Sequence, residues 1–168
     1  NNPNFNYTEK SLSTSFFATN TDKMTESGYD SSEVGFSFGS KFEQYDNLFF
    51  NPFFKTVAEK LETNSLASSS IKKQEGSYFT STIGYAFDYD LRNQKFQPTD
   101  GFRSKFTQTL PVVSDSNTVI TGFIYDQYLT FGDTTTSAGL FLKNAVGLSN
   151  DVRISERIGV PRKRLRGF

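Results

Sequence analysis

The sequence predicts an all-β fold: an antiparallel meander of about seven strands forming part of a transmembrane β-barrel. Three observations carry this. Apolar and polar residues alternate with period two along most of the chain. Nineteen Phe and eight Tyr sit in a chain rich in Ser, Thr and Gly, with 35% hydrophobic residues, no Trp and a mean hydropathy of −0.50. Connectors between the alternating runs swing between short and long, as the turns and loops of outer-membrane barrels do.

Ser11 to Lys23 is the first and weakest strand, with Leu12 and Phe16 outward. Val34 to Gln44 sets Val34, Phe36, Phe38 and Phe42 against Gly35, Ser37, Gly39, Lys41 and Glu43. Leu48 to Glu62 is ambiguous, because Phe falls on both parities, and Pro52 removes one ladder donor and marks a bulge. Val57 to Leu66 has helix-forming content, but its place in an alternating series favours a strand running into a loop. Ser77 to Leu91 is the cleanest case: Phe79, Ile83, Tyr85, Phe87, Tyr89 and Leu91 oppose Thr80, Thr82, Gly84, Ala86, Asp88 and Asp90. From Phe102 to Leu110, Phe102, Phe106 and Leu110 oppose Arg103, Lys105, Thr107 and Thr109, with Pro111 ending the strand. Val119, Phe123, Tyr125, Leu129 and Phe131 share a face from Thr118 to Phe131, as do Leu140, Leu142, Val146 and Leu148 from Gly139 to Asn150. Tyr45 to Asn47 and Gln97 to Gly101 are short connectors; Met24 to Glu33 and Asn64 to Gly76 are long and polar.

A water-soluble β-sandwich or lipocalin-like barrel would show the same alternation with its apolar parity inward. Runs of 10 to 15 residues are long for a sandwich, and the opposing parity is small and mixed in charge, as a wet lumen requires.

Composition also bounds function. Lys plus Arg and Asp plus Glu are 18 each, which argues against a nucleic-acid-binding domain. Absence of Cys and His removes thiolate or His-ligated metal sites, cysteine nucleophiles and a Ser-His-Asp triad. The expectation is no enzyme, no cofactor and no metal. Asp88 and Asp90 share a strand face, as a catalytic pair would, but paired lumen carboxylates more often set pore electrostatics. No apolar run is long enough for a membrane helix. A chain opening on Asn1 and stopping at Phe168 reads as an internal piece of a longer protein.

Two motifs remain. Pro98-Thr99-Asp100-Gly101 alone is an ordinary turn signal, but it belongs to the ordered string Asp90-Leu91-Arg92 to Gly101 between two strands. The tail from Asp151 to Phe168 carries Arg153, Arg157, Arg162, Lys163, Arg164 and Arg166 against two acids. It reads as a solvated basic loop, a localisation or nucleic-acid segment, or a loop folded back into an acidic lumen.

Together the motifs resemble the BamA family of outer-membrane barrel assembly proteins, the bacterial surface antigens. That family has a turn of the form Asp-x-Arg-x-x-x-x-x-Pro-Thr-x-Gly, here Asp90, Arg92, Pro98, Thr99 and Gly101 with Asp100 between, and a later loop ending in (Val/Leu)-Arg-Gly-(Phe/Tyr), here Leu165-Arg166-Gly167-Phe168. Asn2-Pro3-Asn4-Phe5 is similar to its Asn-Pro-x-Phe, and the three occur in the family's order. The resemblance implies a partial outer-membrane barrel domain over 1–168, drawn from a barrel of about 16 strands. Strands and hairpins would fill 1–150, and 151–168 would begin a long extracellular loop that tucks into the lumen. The string from Asp90 to Gly101 would be a periplasmic turn. Arg166, Gly167 and Phe168 would be the functional loop motif; within this sequence Arg166 would be unpaired or borrow a local carboxylate, for which Asp126, on the inward parity of the Thr118 to Phe131 strand, is the candidate. POTRA repeats, the remaining strands and the acidic motif that receives the loop arginine would lie outside this sequence. A Gly-Gly pair usual before the loop motif is replaced here by Ile158 to Arg164. The implied activity is non-covalent insertion of β-barrel proteins into the outer membrane. Implied partners are outer-membrane lipid, nascent barrel proteins and accessory assembly lipoproteins, with no nucleic acid. Two-partner secretion pores share the architecture and the arginine motif and stand as the alternative.

Overall fold

A computed structural model describes residues 10–115, 117–148 and 152–159, the last stretch without the Ser155 side chain. Seven strands run in sequence order through one sheet, each antiparallel to the next: β1 (Ser11–Lys23), β2 (Tyr29–Tyr45), β3 (Leu48–Thr63), β4 (Gly76–Asp90), β5 (Gly101–Ser114), β6 (Thr118–Phe131) and β7 (Thr134–Gly147). The Val57 to Leu66 region is strand up to Thr63; among the described residues helix is confined to the four-residue α1 (Ser69–Lys72) in the loop that follows and a 3-10 turn at Ile154–Glu156. No described helix is long and apolar enough to cross a membrane.

One rim carries the connectors Asp46–Asn47, Leu91–Asp100 and Gly132–Asp133; the opposite rim carries 24–28, 64–75 and 115–117. The tightest turns place Asn47 and Gly132 at positive φ (63° and 59°), a region that Asn and Gly enter at low cost.

Register fixes two faces. Pairings such as Ser15–Ser37, Val57–Thr80, Asp88–Lys105 and Gly122–Lys143 chain the polar parity of all seven strands together. Ser31, Glu59, Leu61, Ala86, Asp88 and Thr118 are buried on this face, so it is the inner, concave one. On the other face Phe16, Val34, Phe38, Phe54, Phe79, Ile83, Phe87, Leu129, Phe131, Leu140, Leu142 and Val146 are exposed. A sandwich would bury these residues. An apolar exterior over a polar, charged interior is the arrangement of a barrel wall in lipid.

The ambiguous Phe residues of β3 divide between the faces. Phe50 and Phe54 point outward, and Phe50 packs 4.9 Å from Phe87 between ring centroids. Phe53 points inward across Gly84, where a Cβ would lie 2.3 Å from its ring. Phe17 likewise covers Gly35, with Lys55 Nζ 4.9 Å from the ring centre on its other side. Glycine is thus required where an aromatic ring lies flat on the sheet.

Both strand prolines behave differently from the sequence reading. Pro52 marks no bulge: β3 keeps one register with β2 from Thr63 to Phe49, interrupted only opposite Ser40 and Lys41, where the proline has no donor to give. Pro111 does not end β5, which runs on to Ser114; β4 shifts register at Ser81/Thr82 to accommodate it, and pairing with β6 has stopped at Thr109–Ile120.

Candidate functional site

The inner face is built from strand parity, which brings distant charges into one row. Asp88 is 5% exposed and receives Arg103 in a two-pronged contact, Nε to Oδ1 at 2.8 Å and Nη2 to Oδ2 at 2.7 Å. Asp90 receives Arg92 in the same way, at 2.8 and 2.7 Å. Each carboxylate of the Asp88/Asp90 pair is therefore occupied by its own guanidinium. Asp126 stands on the inner face directly across from Arg103, as its parity requires.

The string from Asp90 to Gly101 forms a tied turn. Asn93 Oδ1 accepts from the backbone N–H of Thr99 (3.1 Å) and Asp100 (3.3 Å), and its Nδ2 donates to Thr99 Oγ1 (2.7 Å). Gln94 Nε2 donates to the Gln97 carbonyl, and Thr130 Oγ1 on β6 donates to the Thr99 carbonyl. Pro98 precedes this knot, and Gly101 closes it at φ 92° against the Leu91 carbonyl, where a Cβ would approach to 2.1 Å. The hydrogen bonds that Arg92 donates to the Asp90 carboxylate raise the arginine's pKa above its ordinary value. The motif's residue types are thus explained by a rigid turn: an acid to hold the arginine, an Asn cap and a Gly where no side chain fits.

Arg166, Gly167, Phe168 and the Asn2 to Phe5 segment lie outside the described residues. The start of the loop after β7 does fold back against the inner wall, and its buried cation is Arg153. Arg153 is 8% exposed. Its Nη1 is 3.3 Å from Glu59 Oε2, its Nη2 donates to Thr80 Oγ1 at 3.1 Å, and its guanidinium lies 4.2 Å over the Tyr78 ring. Beside it opens a cavity of about 290 Å³ whose lining includes Lys55, Glu59, Thr80, Thr109, Lys143 and Glu156. Glu59 and Tyr78 carried no motif signal. What marks them is position: a carboxylate and an aromatic on the inward parity near the long-loop rim, facing the first arginine of the loop.

Among the described residues no group of three or more His, Cys, Asp or Glu is placed to hold a metal. Asp88 and Arg103, Asp90 and Arg92, and Arg153 with Glu59 and Glu156 are arranged as ion pairs.

A seven-strand meander with an apolar exterior, a charged concave interior and an inward-folding loop belongs to an outer-membrane β-barrel protein, although the connector expected to be short at Gln97 to Gly101 runs from Leu91 to Asp100. The chain matches the Omp85 superfamily domain over residues 1–168, its full length, and it belongs to that family. Family membership places it in the outer membrane, in a group that inserts or translocates proteins there. No individual curated protein matches the chain.

Proposed function

We propose that the chain is part of the barrel wall of a BamA-type assembly protein, which inserts nascent β-barrel proteins into the outer membrane. The observation that carries this reading is the tied turn. Asp90, Arg92, Pro98, Thr99 and Gly101 resemble the family's turn residue for residue, and Asp90, Arg92, Thr99 and Gly101 each have a structural task in the turn. In this reading the partners are outer-membrane lipid, nascent barrel proteins and accessory assembly lipoproteins. Nucleic acid is not among them. The protein is not an enzyme: it catalyses a conformational transition without making or breaking covalent bonds. The salt bridges of Asp88 to Arg103 and Asp90 to Arg92 support a structural role for the two acids over acid–base chemistry.

Arg166 with Gly167 and Phe168 would form the working tip of the loop, reaching toward Asp126. The test is reconstitution of the full-length protein in outer-membrane lipid vesicles, following folding of an unfolded porin-type precursor by gel mobility. Accelerated folding that falls with Arg166→Ala and recovers partly with Arg166→Lys supports the proposal, since lysine keeps the charge but loses the planar fork. Translocation of a secreted passenger, with no acceleration of precursor folding, assigns the protein to two-partner secretion and overturns it.

A further inference from the structure

We propose that Arg153 is a releasable anchor that moors the root of the loop after β7 to the inner barrel wall. It is thereby a positioning residue for whatever the rest of that loop does. The transport readout below rests on the proposed function; the anchor itself rests on geometry alone.

Three residues of one short segment, Arg153, Ile154 and Glu156, make contacts with the wall and the neighbouring loop. Arg153 inserts between Glu59 on β3 and Tyr78 on β4 and donates to Thr80. The next residue, Ile154, donates its backbone N–H to Gln74 Oε1 at 2.9 Å, and Tyr78 Oη donates to the carbonyl of that same Gln74 at 2.8 Å. One turn later Glu156 accepts from Thr118 Oγ1 at 2.7 Å, at the start of β6, and stands 3.7 Å from Arg153 Nη2. Glu59 is itself held by Ser31 Oγ at 3.0 Å on β2. Four strands and a neighbouring loop therefore orient one guanidinium.

Arginine in a connecting loop ordinarily stays in water, because removing its charge from solvent is costly unless it is paired. Here it is nine-tenths buried, and its partners come from residues far apart in sequence. That selects one loop position. The fit also leaves a way out. Nε and Nη1 have no aligned hydrogen-bond acceptor among the described residues, so the contact to Glu59 is an ion pair without the two-pronged geometry of Asp88 and Arg103. A site held by stacking, one hydrogen bond and two ion pairs at 3.3 and 3.7 Å, neither of them two-pronged, is strong enough to set a position and weak enough to let go. The adjoining cavity gives the freed side chain somewhere to move.

The absence of cysteine from this sequence supplies the probe. Val57→Cys, on the cavity wall beneath the loop root, is introduced into the full-length protein in intact cells and reacted with a membrane-impermeant maleimide. With the anchor intact, labelling is slow. Arg153→Ala should speed it by at least about tenfold, the change expected from losing one charge-assisted hydrogen bond. Glu59→Gln, which keeps the side-chain shape and leaves Arg153 in place, should speed it in the same direction. The exchange of Arg153→Glu with Glu59→Arg should restore slow labelling, and Arg153→Lys should restore it in part. Heat-modifiable gel mobility identifies folded protein, and Glu59→Gln decides the matter if Arg153→Ala does not fold. Unchanged labelling in folded Arg153→Ala, or in Glu59→Gln where that variant decides, overturns the anchor. Faster labelling with unchanged precursor folding keeps the anchor and counts against the proposed function instead.

Discussion

A single lysine on each face of the wall separates a membrane barrel from any water-soluble β-fold, and the structure sets the size of the difference. β4 has 15 residues, with Ile83 at its centre, and Ile83 is 48% exposed on the outer face. At about 3.3 Å per residue and a tilt of about 40°, each residue climbs about 2.5 Å along the membrane normal. An apolar band about 25 Å tall then takes in about ten residues around Ile83. Ile83→Lys places a charge at the midplane and should cost about 2–4 kcal/mol. Phe87→Lys, four residues nearer the rim, should cost about 1–2 kcal/mol because the penalty falls with depth. Thr109, opposite Gly84 on the inner face, borders the cavity near Lys143 and Glu156. Thr109→Lys should therefore cost less than about 1 kcal/mol. Ala86 shares that inner parity but is 3% exposed, so a lysine there would add a packing penalty and confuse the comparison. The assay is a urea-dependent folding titration of the full-length barrel into lipid vesicles. Equal costs for Ile83→Lys and Thr109→Lys, or a greater cost for Phe87→Lys than for Ile83→Lys, would refute the assignment of faces.

Gly35→Ala should destabilise by about 1–3 kcal/mol, because the three atoms nearest the new methyl all belong to the Phe17 ring; the same titration should show most of that cost gone in the Gly35→Ala, Phe17→Ala double variant relative to Phe17→Ala alone. Arg103→Ala leaves Asp88 buried without its fork and should cost about 1–3 kcal/mol, discounted for the partial exposure of the arginine; if Asp88→Asn in the Arg103→Ala background recovers nothing, the charge was not the cause. Asn93→Ala removes the cap on Thr99 and Asp100 and should cost about 1–2 kcal/mol, with faster amide exchange confined to the turn; protection unchanged at both amides would show that the cap does not hold the turn.

How much of this protein its sequence determines follows from the physics of strands. Period-two alternation is local, so Ser77 to Leu91 and Thr118 to Phe131 declare their two faces without any neighbour. Strand existence was legible for all seven, but β2 and β7 each begin five residues before the alternation does, at Tyr29 and Thr134, and β5 runs four residues past it to Ser114. Which face meets lipid was legible too, because an aromatic parity opposed to small and mixed-charge residues has few other uses. The turn from Asp90 to Gly101 could be read because its chemistry is contained within a dozen residues.

Only pairing across the sheet decides the rest. Phe49 and Phe53 cannot be told from Phe50 and Phe54 within β3 itself; Gly84 on β4 and Gly39 on β2 provide the room that turns Phe53 inward. Pro111 reads as a strand end because its missing donor is local, whereas the register shift at Ser81/Thr82 that accommodates it belongs to the partner strand. Arg153 was one of six bases in a tail, with nothing in its neighbours to single it out. Its partners Glu59, Tyr78 and Thr80 lie more than 70 residues earlier; the β3–β4 register sets Glu59 directly opposite Tyr78, and only the fold of the loop back onto that face brings a guanidinium to them.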